Sequence, residues 1–175
     1  NNPWANSGIV VEVKLSDLEK LNFKGPLAGM HLQQSIEKKA FEMGGRNQFA
    51  PAQRATDFIY NKKSSTLPDS SYSPGITSVN LRELFPKFIS ESLMGALQHF
   101  NSKMPNFAGP NALLIAPETR TSSPVRIPRD KESLNHPEIT NLFPCGEGAG
   151  YAGGIVSAAM DGRRVAERMV NFIFS

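Results

Sequence analysis

Apolar positions recur along this chain with two periods, and the elements they predict alternate between short strands and helices. Ile9, Val11, Val13 and Leu15 alternate with Val10, Glu12 and Lys14, predicting a strand with one apolar face, after which Ser16-Asp17-Leu-Glu19 opens a short helix. Leu32, Ile36, Ala40 and Met43 share one side of a helix that follows Gly25-Pro26 and stops at Gly44-Gly45. Leu84, Phe85, Phe88, Ile89, Leu93, Leu97 and Phe100 mark the apolar face of the longest helix. Asn80-Leu-Arg-Glu83 has capping-box spacing ahead of it, and Pro86 either starts the regular helix or kinks its first turn. Ala112–Ala116 predicts a short buried strand.

The last stretch is the most informative. An apolar run from Leu142 to Cys145 predicts a strand, Gly146–Gly154 a glycine-rich bend, and Ile155, Val156, Ala159, Ala166, Met169, Val170 and Ile173 the apolar face of a closing helix. Between these elements, Ala50–Arg54 reads as a loop whose Arg54 forms an ion pair or grips an anion. Residues 61–80 read as a long polar loop.

Composition adds bounds. A hydrophobic share of 39% with 20% charged residues is ordinary for a globular chain. The net charge of +3, from 19 basic and 16 acidic residues, is too slight and too scattered to argue for a nucleic-acid or membrane partner. Apolar runs fall far short of the ~20 residues a membrane helix needs. The single cysteine, Cys145, cannot form an internal disulfide, and no leader-like segment opens the chain, so a cytoplasmic location is expected.

The glycine corner carries candidate chemistry. The first N–H groups of a helix lack partners within it and its dipole favours negative charge there, so an anion or an electron-rich ring edge can sit against Gly153, Gly154 and Ile155, with Ser157 adding a hydroxyl. Gly146 and Gly148 remove side chains that would hold a ligand away from the backbone. Glu147, the one carboxylate in that loop, can accept hydrogen bonds from ribose or ribityl hydroxyls. Gly148, Gly150 and Gly153 satisfy G-x-G-x-x-G, but a first Rossmann unit continues into a second strand ending in an acid about 20 residues on, and the residues to Ser175 hold neither.

A second run, Glu118–Asp130, sets Arg120, Arg126 and Arg129 among Thr, Ser and Pro. Arginine forks suit carboxylates and phosphates, and Arg120, Thr121 and Arg126 are candidates for orienting an acidic substrate; the plainer reading is an arginine network with Glu118 and Asp130. Cys145 reads as a small core residue ahead of a nucleophile. Glu132, His136 and Glu138 bracket Pro137, and no metal site is expected.

Leu142–Glu167, together with Asn2–Val13, Gly25-Pro-Leu-Ala-Gly-Met30, Ala50-Pro-Ala-Gln-Arg54 and Arg120–Asp130, resembles the bacterial FAD-dependent dehydrogenase family described as NAD(FAD)-utilising dehydrogenases. The resemblance implies an α+β or α/β fold with a mixed sheet and packed helices, a fragment of a two-domain FAD/NAD(P)-binding flavoprotein without its N-terminal Rossmann half. Residues 1–138 would be an inserted substrate-side domain, and residues 139–175 the closing strand, glycine loop and helix of the FAD domain. FAD would be the cofactor, NAD(P)H the electron donor, and the N-terminal half of the same polypeptide the principal partner. The final helix, left partly unsupported, would pack on that half or on a second copy of the chain. Two other classes stay open: a non-redox nucleotide- or phosphate-binding module, and a non-catalytic interaction domain.

Overall fold

The computed structural model describes residues 4–174; Asn1–Pro3 of the polar lead-in, with which one family-like run begins, and Ser175 lie outside them. The architecture is α+β, a three-stranded mixed sheet with packed helices. It divides into two compact units: one takes the chain up to Asp17 and Leu32–Thr119, the other Leu18–His31 and the chain from Arg120 onward.

The first unit is built on the sheet, in the order β2-β1-β3. The central strand β1 (Ala50–Arg54) pairs in parallel with β2 (Ile76–Ser78) and antiparallel with β3 (Leu113–Ile115). A proline in a strand interior argues against a central position, which is why Ala50–Arg54 reads as a loop in the sequence. In the fold it is a strand. Pro51 needs only its acceptor there, and its carbonyl takes the Ala116 N–H at 3.0 Å. Conversely, the alternation at Ile9–Leu15 does not become a strand. Residues 9–14 join no strand, and of the apolar face Val13 is 37% and Leu15 78% exposed; alternation supplies a face but a ladder needs a neighbouring edge.

Helix α1 (Leu15–Lys20) starts with the Asp17 carboxylate accepting the Lys14 N–H at 3.1 Å, one half of a capping box. In helix α2 (Ala28–Gly44), Leu32, Ile36 and Ala40 are buried as their spacing predicts. It ends in a Schellman motif: Arg46 donates to Phe41 O and Gly45 to Glu42 O, with Gly45 at φ +106°. Pro86 immediately precedes the long helix α4 (Lys87–Lys103), so the regular helix starts after the proline. Asn80 caps a separate 3₁₀ turn, Leu81–Glu83.

The core of this unit gathers Ala52, Ala55, Phe58, Leu81, Leu84, Ile89 and Leu97 around the sheet and the short helix α3 (Ala55–Ile59). Gln53 is fully buried within it, and both ends of its amide are satisfied: Nε2 donates to Lys62 O at 2.6 Å and Oε1 accepts from Leu81 N at 2.9 Å. Arg54 donates to the carbonyls of Thr66 and Pro110, so it staples loops together. Arg82 donates to Phe58 O and Ile59 O, closing the carbonyl end of α3 where a cation is favoured.

In the second unit the dominant element is helix α5 (Ile155–Phe174). The predicted strand over Leu142–Cys145 does not form: these residues are irregular and belong to no sheet. Residues 125–154 are ordered by isolated backbone bonds and by side-chain-to-backbone bonds in place of a ladder. Asp130 Oδ1, for example, accepts from the backbone N–H groups of Glu132 and Ser133 and from Ser133 Oγ. Among the described residues no helix is long and apolar enough to cross a membrane.

Candidate functional site

The arginine run and the glycine corner, distant in sequence, lie side by side in the second unit. Ile127 N donates to Ala149 O at 3.1 Å, Arg126 Nε to Gly150 O at 3.0 Å, Ser123 Oγ to Gly148 O at 3.2 Å and Tyr151 Oη to Ile127 O at 2.8 Å. Gly150 permits the approach. At φ +82°, a Cβ there would stand 2.8 Å from Val125 O and 3.1 Å from Arg126 Cα. A second close approach, Gly29 against Pro124 O, sets the first turn of α2 against the middle of the same run.

The other glycines of the corner serve no such packing. A Cβ at Gly146, Gly148 or Gly153 would meet nothing within 4 Å, and one at Gly154 would meet only Ser157 Oγ at 3.8 Å. No side chain stands between them and an approaching group, although Gly146 N and O are already bonded to Asp161 and Tyr151 N, and Gly148 O to Ser123. Glu147 and Gly148 are exposed, and among the described residues the Glu147 carboxylate makes no hydrogen bond or ion pair. Ile155, the first residue of α5, is 91% exposed. The Ser157 hydroxyl donates to Gly154 O at 2.9 Å, so only its lone pairs remain to offer.

A clamp sits behind this surface. Asp161, in α5, accepts two hydrogen bonds from Arg129, at 2.9 and 2.6 Å, and one from Gly146 N at 2.9 Å. Arg129 also donates to Pro144 O at 2.9 Å and lies 3.6 Å from the centroid of the Tyr151 ring. The two charged side chains are only 7% and 11% exposed. The bidentate bond to Arg129 holds the Asp161 carboxyl below the usual carboxylate range against the opposing effect of burial, and Asp161 in turn raises Arg129.

The sequence-based candidates thus separate. Arg126 joins the glycine corner, 4.9 Å from the Tyr151 ring centroid, and pairs with no carboxylate among the described residues. Arg120 and Thr121 are exposed residues at the start of the same run, and Thr121 makes no hydrogen bond among the described residues. The expected arginine network takes a different partner: Arg129 chooses Asp161, while Asp130 caps a turn. Cys145 is exposed, contrary to its reading as a core residue; its neighbour Pro144 is the buried one. Asp161 and Tyr151 carry structural roles that the sequence pattern did not single out. The available signal was a lone carboxylate in the otherwise uncharged stretch Ile155–Gly162. No group of three or more His, Cys, Asp or Glu among the described residues could hold a metal ion.

Glycines without Cβ neighbours, a carboxylate and an arginine that have no ion-pair partner among the described residues, and the start of α5 come together in one exposed corner of an α+β chain. The chain belongs to the family described as FAD-dependent protein, C-terminal domain-like, which matches residues 1–121. It is also 42% identical over 170 residues to an uncharacterized protein of Clostridium beijerinckii, an alignment covering 95% of this chain and 31% of that protein. The chain thus spans about a third of that relative's length, and the shared region includes nearly all of both units.

Proposed function

We propose that this chain is the C-terminal part of a FAD-dependent oxidoreductase of the NAD(FAD)-utilising dehydrogenase type, with the corner around Gly146–Ser157 turned toward the cofactor. The observation that carries the reading is the lacing of Ser123–Ile127 to Gly148–Tyr151, which makes one surface of the arginine run and the glycine corner. Membership of a FAD-dependent family supports it independently.

The residues present fit the group. No Cβ blocks close approach at Gly146, Gly148 or Gly153, and Glu147 is an acceptor with no partner among the described residues, available to ribityl or ribose hydroxyls. The first-turn groups at Gly153, Gly154 and Ile155 are the donors for an electron-rich ring edge, where their preorganised dipoles would favour negative charge. FAD would supply the two-electron redox chemistry, with NAD(P)H as the electron donor. Arg126, unpaired and stacked on Tyr151, orients a small anionic substrate, aided by Arg120 and Thr121.

The longer polypeptide supplies the partner. Ile155, Val156, Met160 and Phe174 of α5 are 91%, 72%, 68% and 83% exposed, which favours cover by the N-terminal FAD-binding half or by a second copy of the chain. In that arrangement residues 1–138 work on the substrate side and residues 139–175 complete the FAD domain. The unpaired thiol of Cys145 suits a reducing, cytoplasmic setting. The same exposed face would equally serve a non-catalytic interaction domain, and open glycines would serve a phosphate-binding module. One experiment separates the flavin reading from the other two: the visible spectrum of the protein purified from its full reading frame, followed by anaerobic NADH or NADPH. Flavin bands that bleach with one nucleotide are expected; a colourless protein that ignores added FAD overturns the reading.

A further inference from the structure

The glycine corner has no sheet to hold it. The residues from Leu142 to Cys145 lie outside any ladder, yet Pro144, Gly146 and Tyr151 are each tied to one ion pair, whose acid comes from α5. Asp161 binds Gly146 N and both terminal nitrogens of Arg129; Arg129 binds Pro144 O and lies against Tyr151. Tyr151 in turn donates to Ile127 O, so the arginine run is fastened to the same point. Both partners are nearly buried, and the three bonds to Asp161 occupy both of its oxygens.

We infer that Asp161 and Arg129 are positioning residues that hold the Pro144–Tyr151 corner in its ligand-receptive shape, so that the geometry offered to the flavin is set from behind by helix α5. This rests on the flavin reading above. It differs from a general stabilising role in a definite way. The ion pair touches the corner at its two ends, at Pro144 and Gly146 on one side and at Tyr151 on the other, and leaves Glu147 and Gly148 between them outside its bonds. Loss of either partner frees those ends, and the backbone that should meet the cofactor samples other conformations. The pair is also neutral as a unit, so at the corner Arg126 remains a cation with no carboxylate partner among the described residues.

The test uses the full-length protein. Asp161→Asn keeps the volume but loses the charge, and Arg129→Lys keeps the charge but loses the planar fork and its stacking on Tyr151. FAD affinity, the absorption maxima of the bound flavin and the apoprotein melting temperature are measured for each. The expected result is a roughly tenfold or larger rise in flavin Kd, with displaced flavin absorption bands in whatever protein remains loaded. A purely structural pair would lower the melting temperature and leave the bands of the loaded protein unmoved. Should Asp161→Asn fail to fold, Arg129→Lys alone decides. If wild type binds FAD and the folded variants match it in Kd and in spectrum, this inference is wrong while the flavin reading stands. If wild type binds no FAD, both fall together.

Discussion

Arg129 and Asp161, 32 residues apart in sequence, meet through two hydrogen bonds of 2.9 and 2.6 Å, with both side chains about nine-tenths buried. An ion pair in that setting adds little net stability when intact, but removal of one partner strands the other's charge in a poorly solvated place. Its consequences are therefore largest in variants and at extremes of pH.

Asp161 has its folded-state pKa lowered, chiefly by Arg129. Its contribution is present above the unfolded-state pKa, near 3.9, and is lost as pH falls through the lower folded value. The raised Arg129 contributes below its ordinary value and is lost only in strong alkali. Asp161→Asn should cost about 3 kcal/mol at neutral pH and flatten the acid limb of the stability curve below about pH 4. Urea unfolding at pH 7, 5, 4 and 3 checks this, and parallel curves for wild type and variant would refute it.

Gly150 and Gly148 should part company on substitution. Alanine at Gly150 must adopt φ +82° and push on Val125 O and Arg126 Cα, for a loss of about 1–3 kcal/mol. Alanine at Gly148 meets nothing within 4 Å and should change stability by no more than about 0.5 kcal/mol. Thermal melts of the two variants suffice; equal losses would contradict the packing role assigned to Gly150.

Gln53→Ala removes the partner of both Lys62 O and Leu81 N at a fully buried position. A loss of about 2–4 kcal/mol is expected from the unsatisfied groups and the cavity. Denaturant titration would show it as a lower midpoint, and an unshifted midpoint would mean that the β1 region relaxes or hydrates freely.

Glu147 offers the complementary case, since its carboxylate has no partner among the described residues. Glu147→Ala should leave the melting temperature of the apoprotein within about 2 °C while weakening FAD binding in the full-length protein. Flavin titration measures the second effect, and wild-type affinity would remove Glu147 from the site.

Much of the helical architecture was legible from local pattern. The four-residue recurrence of Leu32, Ile36 and Ala40 and the glycine at position 45 located α2 and its end, because amphipathic spacing and a left-handed cap are properties of a few neighbouring residues. The closing helix was equally clear. Strands were harder: Ile9–Leu15 alternates without finding a ladder, whereas Ala50–Arg54, with Pro51 inside it, becomes the centre of the sheet. Alternation describes one strand's faces, while pairing depends on edges contributed from elsewhere in the chain.

At the candidate site, residue types disclosed the chemistry but not the partners. The glycines, Glu147 and the arginines could be picked out because φ freedom, charge and hydrogen-bonding capacity belong to single residues. That Arg126 lies against Gly150, that Arg129 selects Asp161 over Glu118 or Asp130, and that Cys145 is exposed beside a buried Pro144 are contacts across the fold. By itself, then, the sequence determined α1, α2, α4 and α5 but not the short α3, together with the glycine-rich bend and the inventory of reactive groups, all short-range properties. Only the tertiary structure decided which strands pair, which glycines pack and which stay open, and which arginine is neutralised. Those outcomes follow from backbone approaches and desolvation between segments tens of residues apart, which no local pattern encodes.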